Sequence, residues 1–261
     1  MDILLYEGNV VLSYDEKEHV YRYNGDVVPS VTSAIEVIDK PFLIPWALNM
    51  AEQYINEKIK EEGLSKFSLS PAISPNKVAI WAADMKKKYR TVFKKAGEIG
   101  TEVHKWVEDH IKSVIESGVR PMPASPTSPE VESAVKAFLE WESVNHVEYL
   151  VSERKVFSRA YKYAGTLDVI ANINGVKTLL DFKTSNYYSD NYALQTAAYR
   201  MAYNEELEKE RIDNRVVIML SKETGMPTVI EQPESSYETE CSTFLSALNI
   251  YQWKKSLPQR S

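Results

Sequence analysis

The sequence predicts an α/β fold, a central mixed β-sheet flanked by helices. Three observations predict it. Apolar segments of strand length fall at 149–157, 163–173 and 176–184, so three strands follow one another as a meander. Two further strands, 216–220 and 228–230, come only after a helical stretch at 188–210, so the sheet takes in strands from both sides of a helix. Stretches with apolar residues at four-residue steps precede, divide and follow them. Helices, three strands, a helix, two strands and a helix make a mixed sheet with helices packed on its faces.

The elements follow in order. Residues 10–14 and 19–23 form an N-terminal hairpin, and Asn24-Gly25 is a tight turn. Pro29 with Ser30 or Thr32 before an apolar run is a helix start. Residues 43–60 make a helix with Trp46, Met50 and Tyr54 on one face, and 67–76, with Pro71 and Pro75, a loop. Residues 78–95 make a helix with the apolar stripe Met85, Tyr89, Val92 and Ala96. Lys86, Lys87, Arg90 and Lys94 lie on its other side, and no acid occurs from Met85 to Gly97. That face is either solvated or a phosphate contact. In the next helix, 97–115, Gly100, His104 and Glu108 share a face. A loop at 118–129 with four prolines leads to a helix at 129–144. Beyond it, Asn172 to Gly175 turns the second strand into the third, Glu223 to Gly225 turns the last hairpin, and a helix at 237–254 closes the chain. Residues 1–95, hairpin and helices, are expected as a separate lobe or arch over a core made by 96–261.

The 261 residues suffice for one large domain. A composition 44% hydrophobic and 26% charged is that of an ordinary globular chain. No apolar run approaches a membrane span, and the first residues lack the basic start and apolar core of a secretory signal. A cytoplasmic protein that binds no membrane is expected. The single cysteine, Cys241, excludes an internal disulfide and a four-cysteine zinc or iron–sulfur site. The net charge of −6 argues against general nucleic-acid binding and requires any such contact to be local.

The chemistry concentrates at Gly165-Thr166-Leu167-Asp168 and Leu179-Leu180-Asp181-Phe182-Lys183-Thr184-Ser185. Alternation along a strand points Asp181 and Lys183 to one face and Phe182 to the other. Asp168, a hairpin's length earlier, comes onto the adjacent strand. Two carboxylates and a lysine suit a hard divalent cation and a phosphate. They also read as a cross-strand salt bridge with a solvated aspartate. Unpaired carboxylates are costly in strands this apolar, which favours the first reading.

Gly-Thr-x-Asp, then Asp-Phe-Lys-Thr-Ser, then Gln195-x-x-x-Tyr199 resembles the PD-(D/E)xK nuclease superfamily. The branch it is most similar to is the RecB-like exonucleases, which include phage exonucleases and the mitochondrial genome maintenance exonuclease. Gly100-Thr101-Glu102-Val103-His104 and Val28-Pro29-Ser30-Val31-Thr32, with Lys40 to Leu43 and Trp46, resemble further motifs of that branch, so the match spans about residues 28–200. The resemblance implies a restriction-endonuclease-like core and a Mg²⁺- or Mn²⁺-dependent DNA exonuclease of recombination, repair or replication. The alternatives are a flap or branched-DNA endonuclease and a non-catalytic DNA-binding protein on the same fold.

The resemblance also implies roles. Asp168, Asp181 and the Phe182 carbonyl would hold the metal, and His104 would be a further ligand, suiting Mn²⁺ over Mg²⁺. Glu153 would reach the metal or a bound water, or else pair with Lys155 on its strand. Lys183 would position the water or stabilise charge on the phosphate. Gln195 and Tyr199 would orient Lys183 or the phosphate; core packing accounts for Tyr199 nearly as well. Helices near the Pro-Ser-Val-Thr segment form an arch over a single strand in the relatives. Ser30 and Thr32 offer hydroxyls and N–H groups to phosphate, and Trp46 or Tyr54 offers a stacking surface, with core packing the plainer reading for Trp46. The chain's acidity puts more weight on Lys86, Lys87, Arg90 and Lys94, and on Lys58, Lys60, Arg154 and Arg159. DNA is the expected partner, with phage or host recombination proteins beside it. This chain has no helicase phosphate loop and cannot hold the iron–sulfur cluster of some relatives.

Overall fold

A computed structural model describes residues 1–38, 43–61, 75–121 and 126–258. The chain is α/β, with an antiparallel four-stranded sheet, a mixed five-stranded sheet and flanking helices. The small sheet is β1 (Asp2–Leu5), β2 (Val10–Asp15), β3 (Val20–Tyr23) and β4 (Asp26–Val28), in that order. The expected hairpin is its centre. β1 and β4, of four and three residues, are too short to show alternation in the sequence.

α1 (Val31–Ile35) starts where Pro29 and Ser30 predict, and the Ser30 hydroxyl caps it by accepting from the Ser33 N–H at 3.0 Å. α2 (Leu43–Glu61) matches its expected helix. The two helices expected at 78–95 and 97–115 are one, α3 (Pro75–Ser117). Gly97 costs that helix about 1 kcal/mol relative to alanine, too little to end it. α4 (Pro129–Ser143) is capped by Ser128.

The large sheet has the order β5 (Val147–Ser158), β6 (Tyr163–Ile173), β7 (Val176–Lys183), β8 (Asn214–Leu220), β9 (Pro227–Glu231). Within this order β7 and β8 pair in parallel, across the crossover helix α5 (Asn191–Glu206), and the other neighbours pair antiparallel. α6 (Tyr237–Ser256) closes the chain. On one face of the sheet Leu167, Ile170 and Leu179 pack with Val31 of α1, Ala198 and Tyr199 of α5, and Phe244 of α6. On the other, Phe182 meets Phe138 and Trp141 of α4 edge-on, with ring centres 5.5 and 5.9 Å away.

Packing divides the chain into Met1–Ile38 with Gly100–Ser261, and Asp39–Ile99. A division at 95/96 would have placed residues 1–38 with the helical lobe. They belong instead with the sheet unit, because Leu5, Leu12 and Tyr21 share a core with Phe157 and Ala164, and Ala164 N–H donates to the Pro29 carbonyl. In the smaller unit Trp46 packs on Tyr89 at 5.4 Å and Tyr54 is buried, as core packing predicts. The loop expected at 67–76, except Pro75 and Asn76, and the Lys40 to Phe42 part of the N-terminal motif lie outside the described residues. Among the described residues no helix is long and apolar enough to cross a membrane.

Candidate active site

The β6–β7 ladder ends at Val169 and Leu180. Beyond that pair the strands part, and the Phe182 N–H donates to Asp168 Oδ2 at 2.9 Å instead of to a strand carbonyl. Parting strands leave room for side chains between them, which is how Asp168 and the Asp181-Phe182-Lys183 end of β7 come together. Alternation then holds: Phe182 is clamped by α4, while Asp181 and Lys183 lie on the same side as Leu179, facing α5.

Asp181 is 1% exposed, and its Oδ2 is 2.7 Å from Lys183 Nζ. Apart from that ion pair neither of its oxygens has a donor among the described residues. Burial pushes its pKa up, with Asp168 adding to the effect and Lys183 and His104 opposing it. Burial acts to lower the Lys183 pKa, but Asp181 and Asp168 hold it above the usual lysine range. Two carboxylates thus face one ammonium in a dry place, a charge balance short of one cation.

His104 Nδ1 is 3.8 Å from Asp168 Oδ2, with a third of its side chain exposed. Gly100, one turn before it on α3, is where a Cβ would come to 3.3 Å from Thr184 Oγ1, so the missing side chain lets the helix pass close to the end of β7. Glu153 lies in β5 between the pairs Ser152–Val169 and Arg154–Leu167. Burial, and then Asp168, push its pKa up to about 7, so it titrates against the same charge cluster. Its φ of +54° is a left-handed conformation inside a strand, which for a glutamate costs on the order of 1–3 kcal/mol. Gln195 Nε2 donates to the buried Tyr199 Oη at 3.2 Å.

These side chains form one neighbourhood, although among the described residues no three His, Cys, Asp or Glu side chains converge as a ligand cluster. The donor-poor Asp181 carboxylate, the adjoining Asp168 and the His104 nitrogen still suit a divalent cation in chemistry and net charge.

The expected phosphate contacts divide. Lys86, Lys87 and Arg90 are exposed on α3, and Lys94 is exposed with Glu98 at 3.4 Å. Arg159 is exposed and lies over the Tyr6 ring at 5.3 Å. Thr32 is exposed, whereas the Ser30 hydroxyl is occupied by capping. Lys58 is drawn to Glu61, and Arg154 to the buried Glu206 at 2.9 Å, so both are engaged within the protein.

Sequence reasoning missed Tyr192. Lys183 Nζ lies 5.2 Å from the centre of its ring, and its Oη is 2.9 Å from Ser185 Oγ. The available signal was its place three residues before Gln195, on the same face of α5.

No family model and no curated protein matches the chain. Among solved structures it is similar to one described as the crystal structure of SSO0001, at 16% identity over 61% of this chain and 77% of that one, with a TM-score of 0.29. A likeness that slight bears on neither fold nor function.

Proposed function

We propose that the protein is a metal-dependent deoxyribonuclease of the PD-(D/E)xK type, hydrolysing phosphodiester bonds from DNA ends on a restriction-endonuclease-like core. The observation that carries this reading is the Asp168–Asp181–Lys183 group at the point where β6 and β7 part, with a buried Asp181 carboxylate that, among the described residues, has no donor but Lys183.

Asp168, Asp181 and the Phe182 carbonyl would hold Mg²⁺ or Mn²⁺, with His104 and Glu153 at the margin. A divalent cation supplies a water of lowered pKa and a polarised phosphate when bound. The chain's own residues do the rest. Phe182, wedged against Phe138 and Trp141, fixes the strand end so that Asp181 and Lys183 face the substrate side together. Lys183 Nζ stays protonated, paired with Asp181 and in the field of Asp168, and can donate to a phosphate oxygen as negative charge grows there. The Tyr192 ring lies against the same ammonium, and Gln195 stands one turn further along α5. DNA recombination, repair or replication is the process such an activity serves.

The test is digestion of end-labelled single- and double-stranded DNA with Mg²⁺ or Mn²⁺, by the wild type and by Asp181→Ala and Lys183→Ala. The expected outcome is metal-dependent cleavage reduced at least 100-fold in both variants, with circular single strands left intact. Full cleavage by either variant removes the assignment of the site.

A further inference from the structure

A cleft of 680 Å³ lies elsewhere on the sheet unit, lined by Tyr23 and Asn24 at the β3–β4 turn, Lys162 at the β5–β6 turn, and Tyr251, Gln252 and Lys255 on α6. Lys162 Nζ sits 5.1 Å from the centre of the Tyr23 ring, and Lys255 Nζ 5.6 Å from that of Tyr251. Both walls therefore carry a half-buried aromatic ring with an exposed ammonium over it. Asn24 and Lys162 stand at turn positions with φ of +52° and +55°, which fixes where their backbones present them. Asn24 and Gln252 add exposed amides, and among the described residues Asp26 is the one acid in the lining. In a chain of net charge −6 this is a local excess of cation, and it is paired with flat rings.

Ring beside ammonium, on both walls, matches a polymer that alternates flat bases with phosphates. An acidic peptide would engage the ammoniums and leave the ring faces without a matching group. Lys162 precedes Asp168 by six residues along β6, a distance of about 20 Å at strand rise. We propose that this cleft is a second nucleic-acid subsite, which stacks and neutralises a single-stranded segment of the substrate about 20 Å from Asp168. The proposal rests on the nuclease reading above.

The test measures binding without cleavage. Fluorescein-labelled dT20 is titrated with the full chain in EDTA, and anisotropy is read across a salt series. Lys162→Glu/Lys255→Glu is expected to weaken binding at least 10-fold and to flatten the log K against log salt slope by about 1.4, two phosphate contacts at about 0.7 each. Tyr251→Ala is expected to weaken it 5-fold or more, with the slope unchanged. Hydrolysis of bis(p-nitrophenyl) phosphate with Mn²⁺, too small a substrate to reach the cleft, is expected to be unaltered in all variants. Wild-type affinity in the double variant overturns the subsite and leaves the nuclease reading to the Asp181→Ala digest. Competition by polyglutamate as effective as that by unlabelled dT20 also overturns it, marking the cleft as an acidic-protein site.

Discussion

Asp181 is a buried carboxylate in the field of a second, Asp168, and is paired with one ammonium, that of Lys183. Such an arrangement is costly unless something else supplies positive charge. A cation that binds only the folded chain stabilises it by about 2.7 kcal/mol at 100 times its Kd. Mn²⁺ at millimolar concentration is therefore expected to raise the thermal midpoint of the wild type, and to leave Asp168→Ala/Asp181→Ala unmoved. An equal shift in both would place the ion elsewhere. Gly165 acts at the same scale through the atom it lacks. A Cβ there would stand 2.5 Å from Tyr199 Cε1 and 3.2 Å from Val31 Cγ2. Tyr199 is buried against the sheet and holds Gln195, so it has little room to yield. Gly165→Ala is expected to cost about 1–3 kcal/mol in urea unfolding. An unchanged midpoint would mean that the helix α5 shifts freely on the sheet.

At the scale of elements, α3, α4 and β5 are joined by one buried carboxylate. Glu142 of α4 accepts from Tyr149 Oη of β5 at 2.9 Å and lies 3.1 Å from His110 Nε2 of α3, with Arg120 Nε at 3.4 Å. Burial alone would raise its pKa, but His110, Tyr149 and Arg120 outweigh that and leave it below the usual glutamate range. A depressed folded pKa means stability that is present above the unfolded value, about 4.3, and is lost as pH falls through the folded one. Glu142→Gln should therefore be less stable than the wild type by about 1–3 kcal/mol at pH 7, the gap narrowing below about pH 4. Urea unfolding at several pH values checks this, and a gap independent of pH would sink it. The same elements show what could be read from sequence. The meander β5–β7 was legible because its apolar segments are of strand length and the last turn carries Asn174-Gly175. The ion pair of Asp181 with Lys183 and the opposite placing of Phe182 follow from period two alone. The length of α3 did not, because a single glycine costs too little to end a long amphipathic helix. Spacing put Tyr192 on the face of α5 that carries Gln195, but its place against Lys183 was not legible, since that depends on how the crossover returns α5 over β7, a property of the parallel pairing with β8.

Over the whole molecule the question is how a chain of net charge −6 would engage a polyanion. Long-range attraction is unavailable to it, so binding must come from short stretches where cations outnumber acids. The run from Lys86 to Lys95 is one such stretch, with Lys86, Lys87 and Arg90 exposed and Glu98 met only at its end through Lys94. Lys88, in the same run, is already committed to Glu57 at 2.9 Å. If the other three touch phosphates, Lys86→Glu/Lys87→Glu/Arg90→Glu should weaken dT20 binding at least 10-fold at 100 mM salt. The log K against log salt slope should flatten by about 2, three contacts at about 0.7 each. The loss should be the same for any base composition, because phosphate contacts carry no sequence information. Anisotropy titrations with dT20 and a mixed-sequence 20-mer decide it. Unaltered affinity and slope would return this face to plain solvation, and would leave Arg159 and the sheet unit to carry any contact with DNA.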